Sequence, residues 1–203
     1  MNALTKQMSA DEFLAWAEAQ PKEAGRFELI HGRIVEKQGP AGTMNAERSQ
    51  HWRMKFELAL AVRAAVKAAG IGAHVVIDGA SVRVPGPAPG GRMFEPDVLV
   101  YLGPRVARDT LVVENPIIVA EILSPSTAQL DLAAKVDGYF AIPSVEHYLI
   151  GDPDAMLLIH HARGPADASG GTALLTRVHR DRAVPLVLNP PGLTVSLDEV
   201  LEP

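Results

Sequence analysis

Apolar residues recur along this chain with two different periods, and each change of period marks an element boundary. Ser9 followed by Glu12 forms a capping box ahead of Phe13, Leu14 and Trp16, which predicts a short helix over about residues 10–20, closed by Pro21. RFELI and RIVEK alternate as strands do on either side of His31-Gly32, so they predict a tight β-hairpin whose glycine takes a positive φ. After a Gly/Pro loop at 39–43, apolar or aromatic residues at 52, 56, 59, 60, 62 and 66 keep a helical spacing. They predict a long helix from about 45 to 69, stopped by Gly70. HVVI and ASVRV flank Asp78-Gly79, a second hairpin signal, and PGPAPGGR (85–92) reads as a loop with the strand DVLVY directly behind it.

The stretch NPIIVAEILSP is almost unbroken in its apolar character and rich in β-branched residues, the mark of a central strand at 117–123 buried on both faces. SPST then gives way to a helix expected over 127–142, with Ser126 as its cap, Gln129 at the capping-box position and Pro143 at its end. EHYLI, MLLIHH, TALLTRV and LTVSL read as further strands, and SLDEVL as a short closing helix. Strands and helices in this order predict an α/β fold with a central mixed sheet flanked by helices.

At 203 residues and 47% hydrophobic composition, the chain suits one well-cored domain. Its expected parts are an N-terminal helix and hairpin (1–44), a core (45–150) and C-terminal strands (151–203). There are no cysteines, which excludes disulfides and thiolate metal sites. The start, MNALTKQMSADEF, has no apolar core of an export signal, and no apolar run approaches the roughly 20 residues of a membrane span. The expectation is a cytoplasmic protein with no membrane partner. A net charge of −5 argues against a broad positive field for coating nucleic acid. Arg48, Arg53, Lys55, Arg63 and Lys67 are interleaved with Glu47 and Glu57, the pattern of a solvated helix face.

Against this background Glu121 stands out, a carboxylate inside the most apolar strand of the chain. Burying it ionised and alone costs several kcal/mol, so it needs a cation, a metal or a proton. Asp97 follows Pro96, which enforces an extended entry and puts its carboxylate at the mouth of the sheet. Alternation places Asp97 with Leu99 and Tyr101, and Glu121 with Val119 and Leu123, so the two acids converge if their strands are neighbours. Two hard oxygen donors at a strand mouth suit Mg²⁺ or Mn²⁺, which keep several waters and take one or two protein carboxylates. Asp131, Lys135 and Tyr139 stand four apart on one face of the following helix. His160 and His161 are adjacent in a strand, point to opposite faces and cannot chelate one ion together, so no zinc site is read.

FELIHGRIVE, His51 near the start of a long helix, EPDVLV, VAEILSPST and the D-x-x-x-K-x-x-x-Y run resemble the Uma-two family of restriction-endonuclease-like proteins, within the PD-(D/E)xK nuclease superfamily. The resemblance spans roughly residues 8 to 155. It implies a restriction-endonuclease-like core and metal-dependent hydrolysis of DNA phosphodiesters, with Asp97, Glu121 and the Ile122 carbonyl on Mg²⁺ or Mn²⁺. The superfamily's lysine two places after the acid is replaced here by Leu123, and Lys135 matches the position to which the family moves it. Such a lysine would orient or activate the attacking water and stabilise charge on the phosphate. Glu28 matches the glutamate of the family's ELI motif and would add a ligand or orient a water. His51, Ser124, Asp131 and Tyr139 are expected to support the site from behind, and cutting both strands of DNA implies a homodimer.

Plainer readings stand beside these. Asp97 could cap a loop, Glu121 and Lys135 could form a structural ion pair, and Glu28 could face solvent. Ser124 and Ser126 lie in no G-x-S-x-G elbow, so capping is the better reading of Ser126. The rival function is a catalytically inactive binding or regulatory module on a nuclease scaffold. A metal-free hydrolase acting on another substrate through the two acids is a third.

Overall fold

A computed structural model describes residues 7–21, 24–38, 49–86, 90–107, 110–123, 132–166 and 172–202. Its first helix, α1 (Ala10–Glu18), starts at the Ser9 capping box, with the Ser9 side chain accepting from the Glu12 N–H and the Glu12 carboxylate accepting from the Ser9 N–H. The hairpin β1 (Arg26–Ile30) and β2 (Arg33–Gln38) turns on His31 and Gly32, both at positive φ (47° and 74°), the geometry whose twist matches the strands. Helix α2 (Ser49–Ala69) and strands β3 (Ala73–Ile77), β4 (Val82–Val84), β5 (Arg92–Phe94), β6 (Val98–Leu102) and β7 (Pro116–Ile122) follow. Then come α3 (Leu132–Ala141), β8 (His147–Asp152), β9 (Leu157–Ala166), β10 (Thr172–His179), β11 (Leu186–Leu188) and β12 (Leu193–Val195).

The larger sheet has the order β10-β9-β8-β7-β6-β3, with β7 and β8 parallel and every other pair antiparallel. A parallel pair needs a crossover, and α3 supplies it. Every residue of β7 is buried, as its unbroken apolar run predicts. Side chains alternate across this sheet: Val98, Val100, Ile118, Ala120 and Ile122 face the α2 core, while Leu99, Tyr101 and Val119 join the core under α3. The long helix and the following helix therefore cover opposite faces. Among the described residues no helix is long and apolar enough to cross a membrane.

A smaller sheet, β2-β1-β5-β4, carries the hairpin. Here three expectations are corrected. Asp78-Gly79 makes a turn with both residues at positive φ (53° and 69°), but β3 and β4 do not pair; β3 joins β6 and β4 joins β5. The five-pair ladder with β6 holds β3, and Val82 and Val84 bury against Phe94 instead, so this turn hands the chain from one sheet to the other. The Gly/Pro segment ends sooner than its composition indicates, because Met93 pairs with Leu29 and both are fully buried. SLDEVL is a turn rather than a helix, with the Leu201 N–H donating to the Leu197 carbonyl at 3.0 Å; six residues are too few to offset helix nucleation.

Candidate functional site

The seam between the two sheets carries the buried charge. Strands β6 and β7 pair with Val98 opposite Ala120, which sets Asp97, one residue ahead of β6, beside Glu121. Asp97 is 1% exposed, and its Oδ2 accepts the Ile122 N–H at 2.7 Å. Glu121 is likewise buried. From α3, Lys135 Nζ lies 2.8 Å from Glu121 Oε1 and 3.0 Å from Glu28 Oε2, and the Tyr139 hydroxyl donates to the same Glu121 oxygen at 2.6 Å. Glu28, on β1, also accepts the Glu95 N–H at 2.8 Å.

The other oxygen of Glu121 belongs to Lys37. Its Nζ is 2.8 Å from Glu121 Oε2 and 3.1 Å from Asp97 Oδ1, and it donates to the Glu95 carbonyl. The hairpin register explains how a strand residue reaches so far: Phe27 pairs with Glu36 but Arg26 pairs with Gln38, leaving Lys37 as the extra residue of a β-bulge. Bulges re-aim side chains. Sequence alternation did not reveal Lys37, and only the bulge would have pointed to it.

These contacts set the charge states. Burial pushes the Glu121 carboxyl up, but the Lys135 and Lys37 ammoniums together outweigh it and hold it down at about 2. Burial would lower both lysines, yet Glu121 raises each of them, aided by Glu28 at Lys135 and by Asp97 at Lys37. For Glu28, burial dominates and the neighbouring Glu121 adds to it, so its carboxyl is raised in spite of Lys135. Burial and Glu121 also raise the Tyr139 hydroxyl, which stays a donor. The site thus holds an ionised Glu121 between two ammoniums, beside a Glu28 carboxyl that gains a proton more readily than usual.

Asp97, Glu121, Lys135, Glu28 and Tyr139 meet as the sequence leads one to expect, and the solvent-facing alternative for Glu28 fails because Glu28 is 2% exposed. His51 reaches the site from α2: its Nε2 donates to the Ile122 carbonyl at 2.8 Å and stands 3.9 Å from Asp97 Oδ2. Ile122 therefore presents its carbonyl to His51. Ser124, Ser126 and Asp131 lie outside the described residues. Lys55 departs from the solvated helix face expected of it. It is 4% exposed and pairs with Asp78 at 3.1 Å, while Arg26 bridges Asp78 and Glu95 at 2.7 and 2.8 Å. His160 and His161 do point apart, His160 to His147 at 2.9 Å and His161 to Thr176 at 2.8 Å.

Among the described residues no three or more His, Asp or Glu side chains could together hold a metal ion. Asp97 Oδ1, Glu121 Oε2 and the Glu95 carbonyl nonetheless converge on one cation, the Lys37 ammonium. Two carboxylates and a carbonyl are a hard oxygen set, and Mg²⁺ or Mn²⁺ asks no more of a protein because water completes its shell. The donor set fits such an ion.

A profile of the Uma2 family, described as "Putative restriction endonuclease", matches residues 10–197 of the chain. Among solved structures, the crystal structure of "a putative nuclease belonging to DUF820" from Anabaena variabilis ATCC 29413 superposes with a TM-score of 0.67 at 18% identity. The match covers 96% of this chain and 97% of that one. It is a likeness of fold. No curated protein matches the sequence.

Proposed function

The chain belongs to the Uma2 family, and on that premise we propose that it is a divalent-metal-dependent endonuclease that hydrolyses phosphodiester bonds of DNA in the cytoplasm. The observation that carries this reading is the convergence of Asp97 and Glu121 on a single cation position at the seam of the two sheets. In the proposal Asp97 and Glu121 would hold Mg²⁺ or Mn²⁺ with the Glu95 carbonyl, which meets the same cation position, as a third donor, while the Ile122 carbonyl is engaged by His51. The bound ion would supply Lewis-acid polarisation of the phosphate and a more acidic water. Lys135 keeps Glu121 ionised and aimed outward by gripping its inner oxygen, and Glu28 and Tyr139 fix that grip. Lys135 is thereby a positioning residue, committed to two carboxylates, rather than the free ammonium that water activation would need. Cutting both strands of a duplex takes two such sites, so a homodimer is part of the proposal.

Cleavage of supercoiled plasmid tests it. The wild-type protein should nick or linearise DNA with Mg²⁺ or Mn²⁺ and stop on addition of EDTA, while Asp97→Asn and Glu121→Gln should lose cleavage and keep the wild-type circular dichroism spectrum. Undiminished metal-dependent cleavage by either variant would remove that residue from the mechanism. One observation favours a regulatory DNA-binding module instead: both oxygens of Glu121 are already satisfied by Lys37, Lys135 and Tyr139. On that reading the wild-type protein binds DNA and does not cut it, whichever divalent ion is added.

A further inference from the structure

We propose that Lys37 is a tethered counter-cation seated in the ion position between Asp97 and Glu121, and that it must swing out before the two acids can hold a divalent ion. The inference rests on the metal-dependent reading above and adds to it a residue that competes for the site.

The geometry is that of a cation in a binding site. The three N–H bonds of an ammonium can serve three acceptors, and Lys37 Nζ meets three: Asp97 Oδ1 at 3.1 Å, Glu121 Oε2 at 2.8 Å and the Glu95 carbonyl. Asp97 and Glu95 belong to the loop between β5 and β6 and Glu121 to β7, so the ammonium adds a further tie between two segments already joined by the Asp97 Oδ2 bond to the Ile122 N–H. A divalent ion bound to the same two oxygens would sit about 2.1 Å from each, a position that overlaps the ammonium and repels it. The two cations exclude one another.

Lys135 offers a contrast within the same cluster. It touches the inner oxygen of Glu121 and both oxygens of Glu28. Its backbone is inside the helix that covers the sheet, under Phe94, whose ring lies 5.8 Å from Nζ. Lys37 comes instead from the outermost strand of the smaller sheet, next to Ile34 and Val35, both more than a third exposed. The Lys37 backbone thus lies at a bulge on a sheet edge, the place from which a long side chain swings out by rotating its own bonds, whereas the Lys135 backbone lies within the covering helix.

Two measurements decide the matter. Calorimetric titration of Mn²⁺ into the wild-type protein and into Lys37→Met, which keeps the length and removes the charge, should show binding at least about tenfold tighter in the variant. Adding Asp97→Asn to Lys37→Met should abolish the gain. The second needs no variant: reductive methylation of the wild-type protein, read by mass spectrometry, should label Lys37 faster as Mg²⁺ is added and leave Lys135 unchanged. Equal or weaker Mn²⁺ binding in a folded Lys37→Met, or Lys37 labelling that saturating Mg²⁺ does not alter, overturns the inference while leaving the metal site standing. Absence of ion binding in both proteins overturns the inference and the metal-dependent reading together.

Discussion

Glu121 shows how a charge survives in an apolar strand: each of its oxygens is claimed, Oε1 by Lys135 and Tyr139 and Oε2 by Lys37. Removing one partner leaves the others uncompensated, and the cost depends on whether a charge or only a hydrogen bond is lost. Lys135→Met strips the cation from Glu28 and Glu121 at once, and should destabilise the protein by about 3–5 kcal/mol in urea or thermal melts. Tyr139→Phe loses one short bond to a carboxylate and keeps the ring packed against Phe94 and Tyr148, so about 2 kcal/mol is expected. A Lys135→Met protein as stable as wild type would mean that the pair is solvated rather than buried. At this scale Asp97 and Glu121 were legible because their pattern is local, an acid after Pro96 and an acid in an apolar run, whereas Lys135 was legible through its match to the lysine position of the family that the chain resembles. Lys37 was not, because the bulge that turns it inward depends on a register set across two strands. Lys55 was misread for a similar reason, since its partner Asp78 lies 23 positions away.

The elements hold the site through close approaches that only glycine permits. On α3, Gly138 faces the Phe94 ring, and a Cβ there would fall 2.3 Å from its Cε2 and 2.8 Å from its Cζ. Phe94 is fully buried and cannot yield cheaply. Alanine is the better helix former by about 1 kcal/mol, so Gly138→Ala sets propensity against overpacking. Overpacking, typically about 1–3 kcal/mol, should win, because moving α3 outward also withdraws Lys135 and Tyr139 from Glu121. Urea denaturation should show a lower midpoint and the plasmid assay a lower rate; a stabilised Gly138→Ala would show that α3 is not pinned at this contact. The two glycine turns make the complementary point about reading elements from sequence. His31-Gly32 and Asp78-Gly79 both adopt the tight positive-φ geometry that their residues encode. Only the first joins paired strands, because the second is overruled by longer-range pairing with β5 and β6.

For the molecule as a whole, the acid-labile groups fall into two sets at separate places, and their pH windows differ. In one set, His147 donates from Nε2 to the Pro190 carbonyl, so its Nδ1 accepts from His160 Nε2. Burial lowers both histidines, and with His147 beside it His160 falls from 6.5 to about 3. A histidine kept neutral in the fold is protonated first in the unfolded chain, so this set loses stability as pH drops below about 6.5. In the other set, Glu121 is held at about 2 against an ordinary 4.5, so the unfolded chain binds its proton first and stability falls from about pH 4.5 downward. That difference corresponds to about 3 kcal/mol at neutral pH. Glu28 works in the opposite sense: its raised carboxyl is penalised when ionised, and acid relieves it. Thermal melts from pH 7 to pH 2.5 separate the contributions. The stability gap between wild type and Glu121→Gln should stay constant from pH 7 to about pH 5 and close below pH 4.5, whereas His160→Gln should flatten the profile between pH 6.5 and 5 and leave the lower limb in place. Because Glu121 on the larger sheet and Glu28 on the smaller one share Lys135 of α3, and Glu121 also binds Lys37 of the smaller sheet, the lower limb is the loss of the seam itself. A gap for Glu121→Gln that persists unchanged to pH 2.5 would place the acid-sensitive contacts elsewhere and contradict the ion-pair account of the site.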